Sequence, residues 1–406
     1  MARACLHRRL ATESGFSLME LLVATGIMVA ATAAVFSLLN PAQGAFQAQP
    51  EVSDLQQRLR VATDSLQKDL VMAGAGTYSG SATGALSFFF APVLPYRLGT
   101  VSPDPPLAFK TDTITIMYVP STSSQTTISA AMPQTSSEIK VNAEDGCPSS
   151  GAGKDPLCGF EEGEHALIYD DDGAFDTFTI TNVQSTATHL QHTDDNFSKA
   201  YDTNARIAQV ASHTYYLKTS TATNTFQLMH YDGYKTDLPV ADNIVGLTFE
   251  YFGEGAAPVL LRPVTDTTGP WTSYGPKPPA LGKVASGTGY PAGENCTFQV
   301  DTQSGLQAPR LATLATTPGL VPLTQAMLKD GPCCPRKDCA GNSFDADLLR
   351  LRQVRVTLRV QVASAWLRGP AGVLFTRGGT SRGGERYVPD QEVKFDVAPR
   401  NMNMGR

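Results

Sequence analysis

Near its amino terminus the chain places one acidic side chain, Glu20, inside an otherwise uncharged apolar run. The segment reads Gly15-Phe16-Ser17-Leu18-Met19-Glu20-Leu21-Leu22-Val23-Ala24, and residues 16 to 39 hold that single charge and no proline. At about 1.5 Å of rise per residue, such a helix is long enough to cross a hydrocarbon core of roughly 30 Å. A carboxylate inside it is unfavourable by about 2.5–3.5 kcal/mol on insertion scales, so it requires a partner charge. No other residue between 16 and 39 can be that partner. A cut after Gly15 would supply one: the new α-amino group of Phe16 lies one helical turn from Glu20, able to pair with its own Glu20 or with that of a neighbouring copy.

Other residue groups with chemical potential each have a plainer reading. Asp170-Asp171-Asp172-Gly173 offers clustered carboxylates that suit a hard cation such as calcium, but no glutamate completes an EF-hand loop. The flanking β-like runs make a hairpin turn the expectation. His189 and His192 with Asp194 and Asp195 form a loose metal-like group in a polar loop, where exposed, non-ligating side chains are expected. Gly379-Thr380-Ser381-Arg382-Gly383 has the spacing of a nucleophile elbow but no following helix, and every histidine precedes it, against the order of that fold. Gly153-Lys154-Asp155 lacks the earlier glycine and the hydroxyl residue of a phosphate loop. Arg355 and Arg359 read as a solvated face. The chain is therefore expected to be no enzyme, with no catalytic residues, no metal and no cofactor.

Glycine, then phenylalanine, then glutamate at the fifth place of the mature chain within an apolar helix resembles the pattern of type IV prepilins. The resemblance implies cleavage between Gly15 and Phe16 by a membrane prepilin peptidase, N-methylation of Phe16, and entry into a helical filament where Glu20 neutralises the amine of an adjacent subunit. Arg3, Arg8 and Arg9 against Glu13 would keep the short leader cytoplasmic. Later segments are similar to the PilW group of minor pilins and the related J-class pseudopilins: Leu55-Gln56-Gln57-Arg58-Leu59 leading to Lys68-Asp69-Leu70-Val71-Met72-Ala73-Gly74, then Tyr215-Tyr216-Leu217, Ala241 to Tyr251, and Val354 to Val362 followed by Val397 to Asn401. From this the expected partners are other pilin and minor pilin subunits, the prepilin peptidase and methyltransferase, the inner-membrane assembly platform, and membrane lipid before assembly. The expected course is a single inner-membrane pass with the head in the periplasm, then a pilus at the cell surface, with a place at the tip or in priming suggested by the bulk of the head. Two readings compete: a type II secretion pseudopilin, and a secreted β-rich binding protein or adhesin whose ordinary signal peptide ends near Ala31-Thr32-Ala33. The second leaves the Gly15-Phe16 junction unexplained.

Composition bounds the remainder. With 406 residues, 42% of them hydrophobic and 17% charged, the chain can bury a substantial core. The net charge is -6, and loss of a leader carrying three arginines and one glutamate takes it to -8, so no nucleic-acid partner is expected. Of seven cysteines Cys5 falls in the leader; the even number left suggests disulfides in an oxidising compartment. Cys147 with Cys158 is the expected local pair. Cys296, Cys333, Cys334 and Cys339 would form two more bonds of open connectivity, the adjacent pair being least suited to bond together. A zinc site among those four does not match the usual ligand gap.

The elements that must carry these residues follow from periodicity. A leader over 1–15 and an apolar helix over 16–39 precede an amphipathic helix over 40–74, in which Val52, Leu55, Leu59, Ala62, Leu66 and Leu70 form the apolar stripe, while Arg58, Arg60, Asp64, Lys68 and Asp69 lie on the other sides. Pro41 and Pro50 are expected to kink or interrupt it, and Gly74 and Gly76 to end it. A β-rich head over 75–406 follows. Strands are expected at Thr113 to Val119, Ala166 to Tyr169, Phe175 to Val183, Thr214 to Lys218, Thr225 to Tyr231, Asn243 to Phe252, Val354 to Val362 and around Val393 to Val397. Long insertions at about 120–163 and 253–343 are expected to decorate the scaffold and offer a partner-specific surface. The predicted class is α+β: a long amino-terminal helix with an antiparallel β-rich head and disulfide-bearing loops.

Overall fold

Ser17 opens the helix that organises the molecule. Its hydroxyl oxygen accepts from the Glu20 amide at 3.2 Å while the Glu20 carboxylate accepts from the Ser17 amide at 2.9 Å. This reciprocal capping box satisfies two donors that a helix start leaves unpaired. The computed structural model describes residues 15–76, 85–97, 112–120, 124–150, 153–193, 196–203, 205–220, 225–233, 236–285, 289–329, 345–381 and 387–403. In it one helix runs from Leu18 to Met72, about 80 Å at the usual rise. The expected interruption does not occur: Pro41 and Pro50 both lie inside that helix. A proline forfeits one amide donor of its own, and the bonds of neighbouring turns carry the helix across.

The helix ends where the sequence changes character. Ala73 leaves helical geometry and Gly74 adopts φ 77°, the left-handed conformation that glycine reaches without penalty. The Gly74 amide then donates to the Met117 carbonyl at 3.0 Å, so the last turn is tied directly to a strand of the head. A Cβ at Gly74 would come within 2.9 Å of Met402 Cγ, which adds close approach to the reason for a glycine there.

Two antiparallel sheets lie beneath the helix. The first has strands in the order Val93–Leu94, Ile114–Tyr118, Ala211–Ser220, Thr225–Tyr231 and Asp237–Asp242. The second has the order Leu320–Leu323, Ile244–Glu254, Leu351–Val360 and Gln391–Val397. Alternation along Leu351–Val360 buries Val354, Val356, Leu358 and Val360 and leaves the residues between them half-covered, as a strand with one core face requires. Leu55, Ala62, Leu66 and Leu70 of the helix enter the same core, with Val52 and Leu59 packed at its margin. Helix, first sheet and second sheet thus share one interior, giving an α+β molecule in which an amino-terminal apolar helix precedes an antiparallel β-rich domain.

Residues 120–163 do more than decorate. Gln125–Thr127 joins Arg206–Gln209, His165–Tyr169 and Phe175–Thr179 in one small sheet, and Glu138–Lys140 joins His189–Gln191 and Asn182–Gln184 in another. Together they enclose a second core of Ile139, Ile168, Leu190, Tyr201 and Ile207. The expected strand Phe175 to Val183 is two strands, broken between Thr179 and Asn182. Cys147 and Cys158 are joined by a disulfide within this core. The 253–343 segment is likewise anchored: Leu320–Leu323 pairs with Ile244–Glu254, and Tyr274 and Cys296 reach the main core. Its clamp is Arg350, fully buried, whose guanidinium donates to the carbonyls of Glu254, Ala256 and Ala312 at 3.3, 3.2 and 2.5 Å and pairs with Asp347. A buried charge is tolerable only with such partners.

The helix-to-sheet packing can be tested directly. Leu66→Ala should lower the unfolding free energy of the detergent-solubilised chain by about 2–5 kcal/mol, the usual cost of emptying a core site. Val61→Ala, on the exposed side of the same helix, should change it by no more than about 0.5 kcal/mol. Equal losses in denaturant titrations would contradict the assigned faces.

Candidate functional site

Gly15 and Phe16 precede the helix in extended chain, and Phe16 is 89% exposed. A Cβ on Gly15 would meet nothing within 4 Å among the described residues. Glu20 points back toward the Gly15-Phe16 junction, because the capping box holds its carboxylate against the Ser17 amide and hydroxyl. An amine created on Phe16 would appear one residue from the group that already orients Glu20. From Leu18 to Ser37 every residue is exposed, with none covered by the other described residues. The hydroxyls inside this stretch are satisfied by its own backbone: Thr25 donates to Leu21 O at 3.0 Å and Thr32 to Met28 O at 2.7 Å, as an apolar surrounding demands. In length and composition the stretch suits a membrane span or a signal sequence alike.

A second polar group lies at the other end of the same helix, where sequence reasoning saw none. Asp69 was expected on the wet side; it is 5% exposed and faces the first sheet. The Tyr215 hydroxyl donates to its Oδ2 at 2.6 Å and the Tyr118 hydroxyl to its Oδ1 at 3.4 Å. His213 Nδ1 lies 3.4 Å from Oδ2, His213 Nε2 is 3.2 Å from the Tyr118 hydroxyl, and His213 Nδ1 contacts His230 Nε2. Strand register assembles the group. His213 and Tyr215 are two residues apart and share a face, His230 stands opposite Tyr215, and Ile116, two residues before Tyr118, stands opposite His213. Burial holds both histidines below their ordinary pKa, against the pull of the Asp69 charge. Burial and then that same charge push the Tyr118 hydroxyl up to about 12 and raise Tyr215 as well. One signal was present in the sequence: Asp69 falls three residues after Leu66 and four before Ala73, on the apolar stripe itself.

The remaining candidates resolve individually. Asp170 to Asp172 form the turn between His165–Tyr169 and Phe175–Thr179, with Asp170 Oδ1 accepting from the amides of Asp172 and Ala174 at 3.0 and 3.3 Å. The position a cation would take beside them is held by the Lys199 ammonium, 2.5 Å from Asp170 and 3.6 Å from Asp172. His189 pairs with Glu138 at 3.5 Å, whereas His192 is buried against Phe178 and Phe197 rather than exposed. The two are therefore not brought together as ligands; Asp194 and Asp195 lie outside the described residues. Arg355 binds Asp396 across the strands through two bonds of 2.6 and 3.0 Å, and Arg359 binds Asp390, just before the Gln391–Val397 strand, at 3.1 Å, so both have carboxylate partners. Lys154 pairs with Asp145. Gly379 packs against backbone carbonyls, with no room for a Cβ, in a segment without a helix among the described residues. Cys296 is buried without a disulfide among the described residues, and Cys333, Cys334 and Cys339 lie outside them.

No family model matches this chain, and no curated protein or solved structure is similar enough to count as a match. Its site must therefore be read from its own residues.

One titration follows from the acidic region. Asp176 accepts from the Ser198 amide and hydroxyl and from the Tyr201 hydroxyl, yet burial outweighs these bonds and pushes its carboxyl up to about 6. Its folded pKa thus exceeds the unfolded one, so the folded state binds the extra proton first. Stability from this group is fully present below about pH 4 and is lost as pH rises through 6. Measured against Asp176→Asn, the wild-type chain should gain up to about 3 kcal/mol between pH 8 and pH 4 in paired denaturation curves. A flat difference would contradict the assigned environment.

Proposed function

We propose that the chain is a minor pilin: a non-catalytic subunit of a type IV filament, processed after Gly15, methylated at Phe16, and placed at the filament tip or in its priming complex. The observation that carries this reading is the pairing of an exposed Phe16 with a Glu20 carboxylate held toward the Gly15-Phe16 junction, at the start of an apolar helix that no other described residues cover.

The physical sequence has two stages. Before processing, the capping box gives Glu20 partners at the helix start while lipid covers the residues beyond it. A partner peptidase then hydrolyses the Gly15–Phe16 bond and leaves a cationic amine beside an anionic carboxylate. Helices of adjacent copies replace lipid as the apolar surrounding, and Glu20 of one copy neutralises the amine of the next. In a low-dielectric helical core either charge alone would be strongly unfavourable, so the pair registers one subunit against another. The β-rich head, joined at Gly74, remains outside that core. Its bulk suits a terminal position better than a repeating shaft.

Glu20→Ala should therefore be inserted and cut after Gly15 like the wild type, but be depleted at least ten-fold from filaments sheared off cells of its native host. Quantitative immunoblots of membrane and sheared fractions decide this. Equal incorporation would remove the proposed role of Glu20.

A further inference from the structure

We propose that Asp69, His213 and His230 form a binding site for one first-row divalent transition metal, of which Zn²⁺ is the test case, clamping the last turns of the long helix to the first sheet. One ligand atom from each of Asp69, His213 and His230 lies within 4.8 Å of the other two; Asp69 Oδ2 is 3.4 Å from His213 Nδ1, which contacts His230 Nε2, and the three residues come from three separate elements of the fold. Two imidazoles and a carboxylate suit zinc, nickel, copper or iron, whereas calcium and magnesium favour oxygen donors.

The surrounding hydrogen bonds have the form that such sites need. A ligating histidine is normally oriented through its other ring nitrogen, and a ligating carboxylate through an outer donor. His213 Nε2 is oriented by the Tyr118 hydroxyl at 3.2 Å, and Asp69 Oδ2 by the Tyr215 hydroxyl at 2.6 Å. With Tyr118 donating to Asp69 and accepting from His213 Nε2–H, the Nδ1 of His213 presents a lone pair to the carboxylate and to His230. Coordination through these atoms takes His213 with its proton on Nε2 and His230 with its proton on Nδ1, so both imidazoles bind as neutral rings. Both histidines are partly exposed, which gives an ion a way in and leaves a fourth position to water. None of this depends on the pilin reading.

The test is zinc binding to the full chain in detergent. After dialysis against Zn²⁺ and removal of excess, elemental analysis should give one zinc per chain, and the thermal midpoint should rise with zinc concentration. The double variant His213→Gln/His230→Gln should bind zinc at least ten-fold more weakly and lose that rise. X-ray absorption of the wild-type complex keeps the test decisive if the double variant does not fold: the expected shell is nitrogen and oxygen near about 2.0 Å with imidazole scattering. Sub-stoichiometric zinc in the wild type, undiminished zinc in a folded double variant, or a sulfur shell at about 2.3 Å would each overturn the assignment.

Discussion

Everything in this molecule follows from one unbroken helix that passes through two different surroundings. Between Leu18 and Ser37 it is apolar apart from Glu20, and none of the other described residues covers it. From Val52 to Ala73 the apolar positions narrow to one stripe, which the head covers completely at Leu55, Ala62, Leu66 and Leu70. A helix that is apolar all round is stable only inside lipid or among other helices. The first half is therefore of the kind that suits a membrane span or a signal sequence, while the second half packs on the head. Glu20 is the one charge on that first half.

Stiffness at the junction makes the two halves one device. The helix does not end in a free loop: Gly74 bonds to Met117, and the Asn401 side chain donates to the Met72 carbonyl at 3.3 Å. The carboxyl-terminal segment thus closes over the helix end. Deeper in, Asp69 binds two tyrosines of the first sheet, and Ser364 donates to Glu51 one side of the helix earlier in the chain. Both proline positions lie within this same helix.

What could be read from the sequence was what depends on local pattern. The apolar run, the stripe from Val52 to Leu70, the alternating strand around Val354 to Val360 and the Asp170–Asp172 turn each announce themselves within about ten residues, because a helix or strand repeats its exposure at a fixed period. Cys147 and Cys158 are close in sequence and so close in space. What escaped depends on pairing at long range. Asp69 looks like one more surface charge until strands some 150 residues away bring Tyr215 and His213 to it. Arg350 looks solvated until the carbonyls of Glu254, Ala256 and Ala312 surround it. Residues 120–163 look like loop because each strand in them is only two or three residues long, too short to show a period, and their core forms only with partners from 165 to 209. Pro41 and Pro50 do not break the helix, since the helical bonding on either side outweighs the loss of one donor at each.

The central claim is that Phe16 becomes the first residue of the working chain and that Glu20 exists for its amine. Mass spectrometry of the amino-terminal peptide, taken from the protein as its native host makes it, tests this most directly. The account predicts a peptide beginning at a methylated Phe16. A mature chain beginning beyond residue 30, as an ordinary signal peptide would leave it, would contradict the account at its base.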